Sequence, residues 1–266
     1  MAQPFTLDAT FQPQYDFKGL SSGAIISDII ELDDGRLYLS GRFNETGFNY
    51  PMSLIRMFPK GVLDSSFITN ADDFYGFGKL KIHNNTLYCL QGTDFIRSYD
   101  FTGQPANHSW VQNFRNDHDG GGPLFDHVYL ESGITYVGAD SAKFKKTNPI
   151  RNIFLFRLKP DGRVDTAWPH EARGGVEYIA RYNDTLLLLA GWKLWKYDTT
   201  HIQKICRIDT AGNLDTSFKS VITWGVANPL HIENNGKIIV GGRFKVTGYH
   251  DTICLARLHP DAGDRV

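Results

Sequence analysis

Five arginines stand at one recurring place in this chain: Arg56, Arg97, Arg157, Arg207 and Arg257. Each lies among apolar residues in a phrase that closes on a glycine turn: "LIRMFPKG", "FIRSYDFTG", "LFRLKPDG", "ICRIDTAG" and "LARLHPDAG". Aspartates recur with them in a second phrase, at Asp8 ("TLDATF"), Asp64 ("VLDSSF"), Asp165 ("VDTAW") and Asp215 ("LDTSF"), while Asn107 replaces the aspartate in the second copy, "PANHSW". A guanidinium and a carboxylate at matched places form strong, geometrically demanding hydrogen-bonded pairs. Such a set could bind anions, but its apolar neighbours favour a structural reading. Each arginine is expected to tie its strand to the tail phrase or to the next unit, so losing one partner should be costly. The aromatic that ends each tail (Phe11, Phe67, Trp110, Trp168, Phe218) is expected to pack between units.

Other residue types point to binding chemistry. Aligning the units puts Asp28, Gly78, Asp126, Glu177 and Asn228 at about one level of their first strands. Three carboxylates around one axis could hold a cation, an amine or sugar hydroxyls, and crowding would raise a pKa among them. The plainer reading is a water-lined channel with polar walls. "NDHDGGG" (residues 116–122) brings Asp117 and Asp119 close together as weak candidates for a structural Ca²⁺, without the spacing of an EF-hand loop; a plain surface loop is the simpler expectation. The segments after the second strands, "NETGFNYPMS", "KKTNPIRN" and "KVTGYHD", vary most between units, as recognition loops on a rigid scaffold do. The aromatics Phe48, Tyr50, Trp192, Trp195 and Tyr249 could stack on sugars or meet a partner. No HExxH, GxxxxGK[ST] or strand–GxGxxG–helix pattern occurs, and no Ser–His–Asp arrangement marked by a nucleophile elbow is seen, so no cofactor is expected.

The elements that must position these residues come from the repeat. The tail recurs at intervals of 43 to 58 residues. Before each arginine phrase stands a strand ending in glycine ("LYLSG", "LYCLQG", "ITYVG", "LLLLAG", "IIVGG"), and before that another short apolar segment. Each unit therefore reads as four short antiparallel strands, the pattern of a β-propeller blade. The expected fold is all-β with very little helix: a single domain over residues 1–266, a five-bladed β-propeller with blades at about 12–67, 68–110, 111–168, 169–218 and 219–266 plus 1–11. The chain opens on a tail with no arginine phrase and ends on an arginine phrase with no tail, so the N-terminal strand is expected to complete the last blade and close the ring.

Composition limits the function classes. With 41% hydrophobic residues and a formal net charge of −1, the chain can build a core and carries no basic excess for nucleic acid. The longest apolar run, "LLLLAGW", is strand-sized, so no membrane insertion is expected. No leader with a basic start and apolar centre is visible, and the Ala-Gln after Met1 fits a chain whose leader has been removed. Cys89, Cys206 and Cys254 read as small buried hydrophobes. The sequons "NET", "NNT", "NHS" and "NDT" matter only in a eukaryotic secretory host.

The phrases "DDGRLYLSGRF", "NNGKIIVGGRF", "LARLHPDAG", "FRLKPDGRVDTAW" and "RIDTAGNLDTSF" resemble the delta-60 repeat family of uncharacterised bacterial β-propellers, over essentially the whole chain and most weakly in the second unit. The resemblance implies a propeller fold and a secreted or cell-surface bacterial setting, with adhesive or binding roles and no established reaction. The leading expectation is a non-enzymatic module that recognises a protein or glycan partner, or a structural subunit of a larger extracellular or phage-like particle. The alternative is a hydrolase or lyase acting around Asp28, Asp126 and Glu177. Oligomeric state is not readable from these features.

Overall fold

The computed structural model describes residues 9–11, 25–43, 52–67, 69, 78–91, 95–106, 109–145 and 152–261. Asp8, Phe48, Tyr50 and Asn107 lie outside the described residues. The chain divides into two compact units, Met1–Gly92 with Ile96–Asn107, and Thr93–Phe95 with His108–Val266.

The first unit holds two antiparallel meanders. One is β1 (Ile25–Glu31), β2 (Leu37–Phe43) and β3 (Met52–Met57); the other is β4 (Leu80–His83), β5 (Thr86–Gln91) and β6 (Phe95–Tyr99). Tyr38, Leu54 and Phe67 of the first pack with Leu80, Leu87, Cys89 and Tyr99 of the second in one buried cluster. Tight turns join the strands. In the "DDGR" turn Gly35 takes φ +79°, a left-handed conformation that glycine adopts without Cβ strain.

The second unit opens with α1 (Ser109–Asp117), the single α-helix among the described residues. Trp110, Val111 and Phe114 fall on one buried face at helical spacing, and Arg115 sits in the last turn, where a cation suits the helix dipole. The apolar period covers little more than one turn, too little to stand out in sequence. Next come β7 (His118–Gly121), β8 (Leu124–Tyr129), β9 (Thr135–Phe144) and β10 (Ile153–Leu158), in which β9 pairs with all three of the others. The unit continues through β11 (Ala172–Arg173), β12 (Tyr178–Arg181), β13 (Leu186–Ala190), β14 (Lys196–Tyr197), β15 (Thr200–His201) and β16 (Ile205–Asp209). Here β12-β13-β16 form a meander, and β14 and β15 make a small hairpin inserted between β13 and β16 that pairs with β11. A last meander is β17 (Ile222–Ile232), β18 (Ile238–Val246) and β19 (Ile253–Leu258).

The "LLLLA" run explains the stacking of these sheets. Leu187, Leu188, Leu189 and Ala190 are all fully buried, so both faces of β13 are covered. Leu187 and Leu189 pack with Val128, Tyr136 and Leu155, whereas Leu188 and Ala190 pack with Phe218, Ala227, Ile238 and Phe244. Each fully buried leucine contributes roughly 1.5–3 kcal/mol of transfer free energy. At the crossing from the β8–β10 sheet to the β12 sheet, Val176 N donates to the Ala139 carbonyl at 3.1 Å. A Cβ on Gly138 would lie 2.4 Å from the Val176 carbonyl oxygen, so that close approach requires glycine.

Two expectations need correction. The tail is not a full fourth strand: it makes isolated bridges, Met57 to Leu63, Tyr99 to Pro105, Leu158 to Val164 and Ile208 to Leu214. Cys89 and Cys206 are buried, but Cys254 is exposed, because the described residues lay no further strand against β19.

Candidate binding cleft

The arginine–aspartate repeat forms a unit of packing. Arg56 Nε donates to Asp64 Oδ2 at 2.7 Å, Arg157 Nη2 to Asp165 Oδ2 at 2.5 Å and Arg207 Nε to Asp215 Oδ2 at 2.6 Å. The other carboxylate oxygen folds the tail. Asp64 Oδ1 accepts the Ser66 amide and hydroxyl, and Asp215 Oδ1 accepts the same pair from Ser217. This is the physical content of "LDxSF". The tail aromatic covers the guanidinium, with Phe67, Trp168 and Phe218 centred 5.1, 5.8 and 5.1 Å from it. Each arginine also reaches a turn carbonyl of the following meander: Arg56 to Phe101, Arg157 to Ala211 and Arg207 to Pro260. Burial pushes the Asp64 and Asp215 carboxyls up, but their serine and arginine hydrogen bonds outweigh it and hold both below the usual carboxylate range.

Two arginines depart from this pattern. The Asp64, Asp165 and Asp215 amides donate to the carbonyls of Arg56, Arg157 and Arg207; in the second repeat the same bond runs from Ala106 to Ser98. Ser98 and Ala106, not Arg97 and Asn107, therefore hold the arginine and aspartate places, and Arg97 is one residue out of register. Arg257 is at the right place, but its side chain is 44% exposed and meets Glu233 at 3.6 Å.

The first-strand acids also do structural work. Asp28 Oδ2 accepts the Leu80 amide at 2.9 Å, and Asp126 Oδ2 accepts the Ile179 amide at 3.0 Å, so each carboxylate pins the next meander's first strand. Asp126 is fully buried rather than facing water. Register with the second strands aligns Asp28, Asp126, Tyr178 and Asn228, opposite Ser40, Gly138, Ala190 and Gly241. Glu177 is one residue off that level. Asn228 is exposed, and so is Tyr249 in the turn after β18. Asp117 and Asp119 belong to α1 and β7 rather than to a loop. Asp117 is buried and accepts the Val164 amide at 3.3 Å, Asp119 is exposed, and the described residues hold no group of three or more His, Cys, Asp or Glu arranged for a metal.

The chemistry gathers elsewhere in the second unit, in a cleft of about 1230 Å³. Its base is the turn after β13. Leu194 is fully buried and anchors that turn, leaving Trp192 and Trp195 on either side 47% and 44% exposed. Gly174, at φ +89°, and Gly191 let the turn lie close, since a Cβ on either would sit 1.9 Å from the Lys193 or Gly175 carbonyl. Trp195 N donates to the Arg173 carbonyl at 3.1 Å, and the Lys204 ammonium donates to the Trp192 carbonyl. Lys193 Nζ lies 5.1 Å from the centre of the Trp192 ring. One side of the cleft is Trp224, 53% exposed, with Val226 and Arg243 on the β17–β18 ladder. Asp140, Ser141, Asn152, Phe154 and Glu171 also line it. Beside it, burial pushes the Glu177 carboxyl above its ordinary range; the Trp192 amide opposes this, Asp140 adds to it, and Lys193 and Lys204 oppose it.

Trp192 and Trp195 were thus recognisable from sequence, whereas Trp224 was not. Its one signal is that "ITWGV" puts a tryptophan next to a glycine in a strand. Gly225, at φ +94° and with its missing Cβ 2.1 Å from the Arg243 carbonyl, follows a register shift between Ile222 and Trp224.

The model of a family described as "Domain of unknown function (DUF5122) beta-propeller" matches residues 233–261. No curated protein matches the sequence. Among solved structures, the extracellular domain of a protein described as a one component system, BT4673 from B. thetaiotaomicron, is 13% identical with a TM-score of 0.50, over 96% of this chain and 29% of that one. A DUF4623 family protein from Bacteroides eggerthii is 13% identical with a TM-score of 0.46, over 88% of this chain and 54% of that one. PorZ, a surface component of the type-IX secretion system of Porphyromonas gingivalis, is 16% identical with a TM-score of 0.40, over 86% of this chain and 34% of that one. The chain thus spans well under two thirds of these structures. At 13% identity the likeness to the first of these speaks to fold alone, and with the matched family it supports an all-β chain of propeller type.

Proposed function

We propose that this chain is a non-enzymatic binding module that recognises a glycan through the cleft formed by Trp192, Trp195 and Trp224. One observation carries the reading: of the five tryptophans in the chain, the three that line this cleft are each close to half exposed. An indole left in water forgoes the large burial gain an aromatic normally takes, and its flat apolar face suits the C–H face of a pyranose ring. The carbonyls, hydroxyls and amides around the indoles supply hydrogen bonds for sugar hydroxyls. Glu177 favours a second reading, hydrolysis of the bound chain, because a carboxyl of raised pKa beside a cleft suits a general acid.

The setting proposed is outside the cell or on a bacterial surface, supported by the extracellular domain among the similar structures. The architecture proposed is a five-bladed propeller of the delta-60 repeat type, with "TLDATF" completing the last blade. The exposure of Arg257, against buried Arg56 and Arg207, supports an open edge there that a tail would cover.

Electrophoretic retardation in gels containing plant, bacterial and host polysaccharides tests the reading. The wild-type chain is expected to be slowed by at least one polysaccharide and the Trp192→Ala and Trp224→Ala variants to run free. Release of reducing ends would favour hydrolysis. A stoichiometric protein captured from the native source, with no polysaccharide retarding the chain, would overturn the glycan reading.

A further inference from the structure

We infer that the ligand of this cleft is an anionic glycan, one carrying carboxylate or sulfate groups; the inference rests on the glycan reading of the same cleft. Arg173, Lys193, Lys204 and Arg243 line it against two carboxylates, Asp140 and Glu171. That local excess of positive charge stands in a chain whose formal net charge is −1. The two carboxylates neutralise little of it. Glu171 lies 3.7 Å from Arg173 and Asp140 lies 3.8 Å from Lys193, both at the outer limit of an ion pair and both substantially exposed.

Arg243 has no ion-pair partner among the described residues and is exposed. Its backbone is fixed opposite Val226, and two residues along the ladder Lys245 stands opposite Trp224. Trp224, Val226 and Arg243 line the cleft together, so an indole platform and a guanidinium share one surface. A guanidinium there offers a fork of N–H donors matched to a carboxylate or sulfate, while the indole takes the sugar ring that bears it. Lys204 is held in place by the Trp192 carbonyl, which keeps a second ammonium in the cleft. A neutral glycan would leave Arg243 without a counter-charge and Arg173 and Lys193 only loosely paired, whereas an acidic one supplies negative charge along its length.

The test is calorimetric titration of the intact chain with three oligosaccharides of equal length: an oligogalacturonate, a sulfated galactan and an unsubstituted galactan. At least one acidic ligand is expected to bind tenfold or more tightly than the neutral one, and to weaken as ionic strength rises from about 0.05 to 0.5 M. Arg243→Gln is expected to cost that ligand about tenfold in affinity, a larger loss than it causes for the unsubstituted galactan, with Lys193→Gln as an independent second variant. Both side chains are exposed, and unchanged urea midpoints verify that the variants fold. Which acidic arm binds distinguishes carboxylate from sulfate. Equal affinity for neutral and acidic chains, or acidic binding indifferent to salt and to both variants, overturns the charge inference and leaves the glycan reading standing. No binding by any arm overturns both.

Discussion

Replacing Arg207 by alanine should destabilise the protein by about 2–4 kcal/mol. The guanidinium gives one hydrogen bond to Asp215 at 2.6 Å and one to the Pro260 carbonyl at 2.8 Å, and it lies 4.5 Å from the Tyr182 ring centre and 5.1 Å from that of Phe218. Its side chain is 9% exposed and that of Asp215 18%. Stranding the partner of a fully buried pair costs roughly 3–5 kcal/mol. Asp215 keeps its bonds to Ser217 and some water, which lowers the figure, while the lost carbonyl and ring contacts add to it. Arg257 is the control: a half-exposed arginine 3.6 Å from Glu233 is worth about 0–1 kcal/mol. Urea unfolding followed by tryptophan fluorescence reads both variants. With a slope of about 3 kcal/mol/M, Arg207→Ala should lower the midpoint by about 1 M. A loss under about 0.5 kcal/mol, or one no larger than that of Arg257→Ala, would refute the claim that the buried arginines lock tail, strand and neighbouring turn together.

Other outcomes follow from the same geometry. Gly138→Ala should cost more than about 2 kcal/mol in urea unfolding, because its Cβ would meet the Val176 backbone, which cannot turn aside as a side chain can. Stability should fall as pH drops below about 4, since Asp64, Asp209 and Asp215 have folded pKa values below their unfolded ones; their contribution is present above the unfolded pKa and lost as pH falls through the folded values, as urea midpoints between pH 7 and 2 would register. Glu177→Gln should raise the midpoint at pH 7 and leave it nearly unchanged at pH 3, because a carboxyl with a raised folded pKa favours the fold while protonated and loses that contribution as pH rises through it.

The repeat made sheet order legible because three of its units bury the same faces: an apolar second strand, an arginine in the third and an aromatic in the tail. Register was harder. Arg97 looked like its counterparts in "FIRSY", yet the bridge from Tyr99 to Pro105 shifts the phrase by one residue, and in a strand one residue reverses every side chain. The same slip misplaced Glu177. Asp28 and Asp126 were recognised as a recurring acid, but partners far along the chain, Leu80 and Ile179, decide their role. The cleft was half visible for a related reason. Trp192 and Trp195 flank one leucine in a turn, whereas Trp224 and Arg243 join them only through the pairing of β17 with β18.

Fluorine NMR of protein labelled with 5-fluorotryptophan shows whether the exposed tryptophans meet the ligand. Its five resonances, assigned by single Trp→Phe substitutions, would be followed while a retained oligosaccharide is added. Trp192, Trp195 and Trp224 are expected to shift and broaden on binding while Trp110 and Trp168 stay in place. Saturable binding that leaves the first three signals unmoved would contradict that contact.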